Sequence, residues 1–258
     1  MKSFQFIRIP FRIFYKFYCA LVFAILMLLS YPVYKLLFIH QKMFKAAFRM
    51  MRLHAKFMMT LMFIRVKIRS QVPQLPDDPH LICPNHSSFL DIPCIYAIFN
   101  SYFTFIGKNE IKKWPLFRIF YTSGMNILVD RSSNASKVKT LRRMSEEIDK
   151  GNSLVVFPEG SISRTAPEMS PFKKGAFAIA IKKQVPIVPV VFLSNYKRLQ
   201  RGKFLKAKAS PGYAFVQILE PVSTEGLGMG DLEKLETEVS GKMQEVIQQN
   251  QIKRGAIL

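Results

Sequence analysis

Acidic residues are missing from the first 76 positions of this sequence; the first is Asp77, while thirteen Lys and Arg fall in the same stretch. Cysteine is scarce. Cys19, Cys83 and Cys94 form no C-x-x-C and cannot all pair, which excludes a disulfide-stapled secreted scaffold and favours a reducing compartment. No internal repeat and no low-complexity linker occurs, and no G-x-S-x-G nucleophile elbow is present. What is there in quantity is apolar surface and positive charge. Hydrophobic residues make up 49% of 258 residues, with 38 Lys and Arg against 17 Asp and Glu, a formal charge of +21. The apolar share excludes a disordered basic tail, and the length suits one core with an appendage. The charge calls for an anionic partner, nucleic acid or a membrane surface. A nucleic-acid enzyme spreads its basic stripe over the folded domain. Here the excess sits in an apolar N-terminal segment, so membrane lipids are the expected partner and nucleic acid is not.

Residues 17–34 carry no charge. As a helix they would reach ~27 Å against a hydrocarbon core of ~30 Å, and Pro32 near the end would kink or stop it. Sixteen residues precede the run and no A-x-A-like site follows, which argues against a signal peptide. A membrane-embedded or spanning helix is expected, with a buried core helix as the alternative. In residues 41–63, Lys42, Lys45, Arg49, Arg52 and Lys56 recur at steps of three and four, while Phe44, Phe48, Met51, Met58 and Met62 fall mostly opposite. This pattern reads as a basic amphipathic helix at a membrane interface, or as a solvated charged face over a Met-rich core. Lys2, Arg8, Arg12 and Lys16 precede the apolar run. Positive charge therefore flanks it on both sides, and a hairpin that enters and returns with both ends cytoplasmic reconciles this with the positive-inside rule.

The period changes to two at Ile64, Val66 and Ile68, which predicts a strand. Pro73, Pro76, Pro79, Asp77 and Asp78 mark a loop, and 132–136 is a second, serine-rich one. Apolar runs at 80–83, 102–106, 127–129, 154–157, 187–192 and 214–219 alternate with helical stretches at 92–100, 136–150 and 175–183. An amphipathic helix over 231–249 closes the chain. The alternation predicts an α/β domain with a largely parallel, buried sheet flanked by helices. The division expected is 1–63 for a membrane-associated helical segment and 64–258 for the α/β domain.

Four blocks carry candidate chemistry. Asn85-His86-Ser87-Ser88-Phe89-Leu90-Asp91 follows a short apolar strand. Asp91 can hold His86 at Nδ1 and leave Nε2 to take a proton from a hydroxyl. Phe157-Pro158-Glu159-Gly160-Ser161-Ile162-Ser163-Arg164 follows another strand, so both can face one crevice at the strands' carboxyl ends. Gly107-Lys108-Asn109-Glu110 leads into a cationic stretch with the only tryptophan, Trp114; its lysines suit a phosphate, and Trp114 a membrane interface. In Val185–Phe192 two prolines bracket an apolar strand, an architectural feature. Gly226, Gly228 and Gly230 are a partial dinucleotide fingerprint with about 28 residues after them, too few for a βαβ unit. His80, Cys83 and His86 have the residue types of zinc ligands, but no fourth ligand is evident, and no metal is expected.

In this order the blocks resemble the glycerolipid acyltransferase family, in particular the bacterial 1-acyl-sn-glycerol-3-phosphate acyltransferases. Asn85, His86, Ser88 and Asp91 match N-H-x-S-x-x-D. Gly107, Lys108, Glu110 and Pro115 match G-K-x-E-x-x-x-x-P, Phe157–Gly160 match F-P-E-G, and Pro171–Phe177 match P-F-K-K-G-A-F. The resemblance covers roughly residues 80–192.

The resemblance implies direct acyl transfer, with no covalent acyl-enzyme and no cofactor beyond the donor substrate, acyl-CoA or acyl-carrier protein. His86 would be the general base and Asp91 its orienting partner. Glu159, Gly160 and Ser161 would help hold the acceptor, lysophosphatidate, and Lys108 would meet its phosphate. The product would be phosphatidate, made at the cytoplasmic side of a membrane. The sequence departs from the usual F-P-E-G-T-R-S: Ser161 replaces the threonine and Ile162 the arginine. Isoleucine binds no phosphate, and Arg164 is the next cation. Other acceptors within the class are a lyso-ornithine lipid or another lysophospholipid. A non-catalytic basic membrane-binding protein is the rival from outside it.

Overall fold

A computed structural model describes residues 3–70, 72, 75–77, 79–129, 133–203 and 205–255. Of the residues singled out above, Lys2, Pro73, Asp78 and Ser132 lie outside the described residues. The chain runs α1 (Ser3–Leu37), α2 (Phe44–Leu61), β1 (Ile64–Ser70), β2 (Leu81–Pro84), α3 (Asp91–Ile98), β3 (Phe103–Lys108), α4 (Arg118–Thr122) and β4 (Ile127–Val129). It continues with α5 (Asn134–Asp149), β5 (Ser153–Val155), α6 (Gly175–Lys183), β6 (Ile187–Phe192), α7 (Asn195–Arg198), β7 (Gly212–Ile218) and α8 (Leu232–Gly255).

The seven strands form one sheet in the order β1-β7-β6-β2-β5-β3-β4. Only β6 and β7 pair antiparallel; the other neighbours are parallel. This is the expected α/β architecture. The period-two strand takes an edge, Ile64 opposite Gly212 through Ser70 opposite Ile218. The unbroken apolar runs become the central strands, where every β2 and β6 residue is buried.

Successive strand side chains point to opposite layers. Leu81, Cys83, Leu154, Ile187 and Val191 pack with α5, α6 and α8 through Ile148, Phe177, Val239 and Met243. Ile82, Val155, Val188, Val190 and Phe192 face the other layer, which holds α1, α2 and α3. Residues of 1–63 and of the sheet therefore share one hydrophobic core.

That sharing shows what the apolar side of the basic helix packs against. Phe44, Ala47, Phe48, Met51, Ala55, Met58 and Met59 of α2 are buried, so the Met-rich face is core. Lys42, Lys45, Arg49 and Lys56 are exposed. Arg52 departs from the stripe: its Nε donates to the Tyr96 carbonyl at 3.3 Å, and its guanidinium also donates to the Asn100 side chain. It ties α2 to the end of α3.

Pro32 does not stop α1, which continues to Leu37. Packing beyond the proline holds the last turn. Tyr34 is buried, its hydroxyl lies 3.2 Å from His54 Nδ1, and its ring meets Phe120 edge-on at 4.9 Å. At the other end the Tyr15 and Tyr18 hydroxyls donate to the Met62 and Leu61 carbonyls at 2.6 and 2.8 Å. The segment Ile9–Leu37, with an 18-residue stretch of mean hydropathy 2.1, is long and apolar enough to cross a membrane. Its outer face is bare, with Phe14 71% and Leu29 71% exposed.

Candidate active site

In a parallel sheet the carboxyl ends of the strands lie along one edge, and loops leaving them converge there. Those following β2, β5 and β6 do so here. Pro84 ends β2, and Asn85 bonds to the end of β6: its Oδ1 accepts from Phe192 N at 2.7 Å, and its Nδ2 donates to the Phe192 carbonyl at 3.4 Å. Asn85 is thus a structural bolt that launches the next residue from a fixed point.

That residue is His86. Its Nδ1 lies 2.9 Å from Asp91 Oδ2. Its ring stacks on Phe157 with centroids 4.0 Å apart and planes 21° from parallel. The imidazole is held on one side by an acceptor and on its face by an aromatic, and 12% of it remains exposed. With Nδ1 committed to Asp91, Nε2 is the nitrogen left for a substrate proton.

Asp91 is fully buried at the first turn of α3. Oδ2 also accepts from Ser87 N at 2.6 Å and Ser88 N at 2.8 Å. Oδ1 accepts from Asn195 Nδ2 at 2.8 Å, with the Ser87 hydroxyl at 3.4 Å. These donors fix the carboxylate's orientation, and its charge is placed to stabilise an imidazolium at His86.

The loop after β5 holds His86 by its backbone. Glu159 Oε1 accepts from His86 N at 2.6 Å, and Oε2 accepts from Ser170 N at 2.7 Å. Ser163 N donates to the His86 carbonyl at 2.7 Å. Burial raises the Glu159 carboxyl above its ordinary value, while the His86 and Ser170 amides pull it back. Both its oxygens are engaged by amides, so Glu159 clamps the two motif loops together. Gly160 turns the chain at φ +71°, a conformation that favours glycine. Glu159→Gln should turn an NH₂ toward one of the two amide donors. The expected cost is about 1–3 kcal/mol, read as a fall in Tm of about 2–4 °C per kcal/mol; an unchanged Tm would remove the clamp.

Ser161 is half-buried and Ile162 buried, while Arg164 is exposed. A cation from elsewhere meets this turn: Arg201 Nη1 donates to the Ile162 carbonyl at 3.2 Å. Lys108 ends β3 and is half-buried. A Cβ at Gly107 before it would meet the Tyr121 ring at 2.4–2.7 Å, so a larger residue there would displace that ring. Trp114 is half-exposed and lies edge-on to Phe117, whose ring stacks on Phe23 of α1 at 5.1 Å.

The chemistry available is proton transfer by His86. Ser88 Oγ donates to the Leu199 carbonyl at 2.6 Å and Ser87 Oγ turns to Asp91, so neither serine is held by His86 as a nucleophile. Burial pushes the Cys83 and Cys94 thiols up, away from the reactive thiolate. Sequence reasoning missed Asn195, Ser170 and Arg201, and gave Ser163 no role of its own within the candidate block that contains it. Asn195 alone carried a signal, as a polar residue just past an apolar strand. The other three lie in loops whose paths the sequence does not encode locally.

Comparison with known proteins gives consistent matches. The family model described as Acyltransferase matches residues 63–193. The 1-acyl-sn-glycerol-3-phosphate acyltransferase of Saccharomyces cerevisiae is 34% identical over 177 residues, which cover 68% of this chain and 57% of that protein. The alpha form of the enzyme of that name from Mus musculus is 32% identical over 196 residues, covering 76% of this chain and 67% of that one. The chain thus spans between about half and two thirds of the length of these relatives. The crystal structure of the 1-acyl-sn-glycerophosphate (LPA) acyltransferase PlsC from Thermotoga maritima superposes with a TM-score of 0.77 at 24% identity. The match covers 94% of this chain and 97% of that one, and supports the fold.

Proposed function

This chain belongs to the acyltransferase family, and on that premise we propose that it transfers a fatty acyl group to the free sn-2 hydroxyl of 1-acyl-sn-glycerol-3-phosphate. The observation that carries this reading is the His86–Asp91 pair, locked by Glu159 and backed by Phe157 at the carboxyl edge of the sheet. His86 Nε2 takes the acceptor's hydroxyl proton while the oxygen attacks the thioester carbonyl of acyl-CoA or acyl-carrier protein. The carbon–sulfur bond then breaks, and the leaving thiolate recovers the proton from the imidazolium. Phosphatidate and a free thiol are the products. The turn at Glu159, Gly160 and Ser161 forms a wall against which the acceptor lies. Purified protein should release thiol from the donor only when lysophosphatidate is added. Membrane binding with no acceptor-dependent thiol release would instead describe a basic lipid-binding protein.

The acceptor's phosphomonoester carries about −1.5 to −2 charges near pH 7. We assign it to Lys108 and Arg164, with Arg201 next to the turn where Ile162 stands. A hydrogen bond to a charged group is worth about 1.5–3 kcal/mol, so Arg164→Ala should raise the acceptor KM about tenfold or more with little change in kcat. An unchanged KM would shift the assignment to Lys108 and Arg201. The same Ile162 favours a second reading, an acceptor with another head group; turnover of a lyso-ornithine lipid or a lysophospholipid in preference to lysophosphatidate would select it.

The protein would act at the cytoplasmic side of a membrane. Contacts at both ends of α1, to Met62 and to Phe120, support a helix lying along the domain with its outer face in one leaflet. The exposed Lys35 of α1, with Lys42, Lys45, Arg49 and Lys56 beside it, would meet anionic head groups.

A further inference from the structure

One buried group beside the His86–Asp91 pair has no role in the reading above, which the present inference presupposes. Asn195 opens α7 just beyond β6, and it is fully buried. Its Nδ2 donates to Asp91 Oδ1 at 2.8 Å and lies 3.4 Å from Cys94 Sγ. Its own Oδ1 has no hydrogen-bond partner among the described residues. A buried amide oxygen left without a donor is costly. Reversing the amide would be worse, because it would set oxygen against the Asp91 carboxylate. The orientation is therefore dictated by Asp91, and the unpartnered oxygen is the consequence.

The surrounding bonds show what this arrangement fixes. The segment after β6 is joined to the His86 loop at three points: Asn85 to the Phe192 backbone, Asn195 to Asp91, and Ser88 to the Leu199 carbonyl. The two outer joints hold the loop; the middle one holds the carboxylate itself. Oδ2 carries His86 Nδ1 and two amides, whereas Oδ1 has besides Asn195 only the Ser87 hydroxyl at 3.4 Å, so it needs a close donor if the carboxylate plane is not to rotate away from the imidazole. A lysine or arginine there would also donate, but its charge would oppose the imidazolium that Asp91 stabilises. A neutral amide donates and leaves the charge of Asp91 to His86.

We propose that Asn195 is a positioning residue for acyl transfer: it fixes the rotation of Asp91, and through Asp91 the tautomer and aim of His86, without neutralising the carboxylate.

The titratable groups around Asn195 and Asp91 are His86 from the β2–α3 loop, with Glu159 behind it on its backbone amide, and Cys94 from α3; Arg198 of α7 turns its guanidinium to the Pro211 carbonyl. Two variants test the proposal with acceptor-dependent thiol release. Asn195→Ala should lower kcat about 10- to 100-fold, part of the ~10²–10⁴ that a general base supplies, with the acceptor KM unchanged. Asn195→Asp keeps the volume and adds a carboxyl whose fractional negative charge favours imidazolium. The acidic limb of its kcat/KM profile should therefore move to higher pH, which reads the coupling of position 195 to His86 through Asp91, while the fall in kcat at unchanged acceptor KM in Asn195→Ala is what a merely structural role does not produce. A kcat within twofold of the parent in Asn195→Ala, or an unmoved limb in Asn195→Asp, overturns the proposal. If the aspartate variant does not fold, the alanine variant decides. His86→Ala run beside them separates the premises: turnover surviving there removes the base itself, whereas its loss together with normal Asn195 variants removes only the role of Asn195.

Discussion

His86→Ala should lose about 10²–10⁴-fold in turnover, the range that a positioned general base supplies, while the protein stays folded and membrane-bound. The fold is expected to survive because the ring's contacts are few. It meets Phe157 and Asp91, and the bonds from Glu159 and Ser163 go to the backbone of residue 86, which alanine keeps. Asp91→Asn is a different perturbation. Asp91 accepts from Ser87 N, Ser88 N, Asn195 Nδ2 and His86, and an amide in its place would turn NH₂ toward one of these donors. It should therefore lower Tm as well as turnover, with the turnover loss smaller than for His86→Ala because the imidazole remains. Thiol release and a thermal melt on the two variants separate the effects. A His86→Ala protein with near-normal turnover would refute the base assignment, and Asp91→Asn with the parent's Tm would contradict the hydrogen-bond geometry.

Much of this was legible in the sequence, for identifiable reasons. The central strands are apolar on both faces, and such runs stand out in one dimension; β2, β5 and β6 fall within a residue or two of the expected 80–83, 154–157 and 187–192. The His86–Asp91 spacing was readable because five residues of loop and one helical turn are a local geometry. What was hidden is set by distant pairing. Glu159 reaches a backbone amide 73 positions away and Asn195 a carboxylate 104 positions away, and no local pattern records either. Pro32 misled in part because propensity favours a break there, whereas the contacts of Tyr34 with His54 and Phe120 exist only in three dimensions.

The N-terminal hairpin invites an experiment with two arms, because it has two separable faces. The inner face is core: Phe44, Phe48, Met51, Met58 and Met59 of α2 pack with Ile95 and Phe103, and the thiol of Cys94 in α3 lies 4.0 Å from Met59 Sδ. Truncating one large core side chain costs about 2–5 kcal/mol, and total stability is about 5–15 kcal/mol. Deleting residues 1–63 removes at least five such side chains at once, so the loss should exceed what the domain has. The truncated protein is expected to aggregate or melt without a cooperative transition, and to be inactive even toward a short-chain, water-soluble acceptor. The outer face should behave otherwise. Phe14, Leu21, Leu28 and Leu29 are more than half exposed and make no part of the core, so replacing all four by serine should leave Tm nearly unchanged. That variant should leave the membrane pellet, lose activity on acceptors presented in vesicles, and keep it on the soluble acceptor. A truncated chain that folds and turns over the soluble acceptor would show that α2 is only an anchor. A four-serine variant that still pellets with membranes in high salt would move the membrane contact to another surface of the protein.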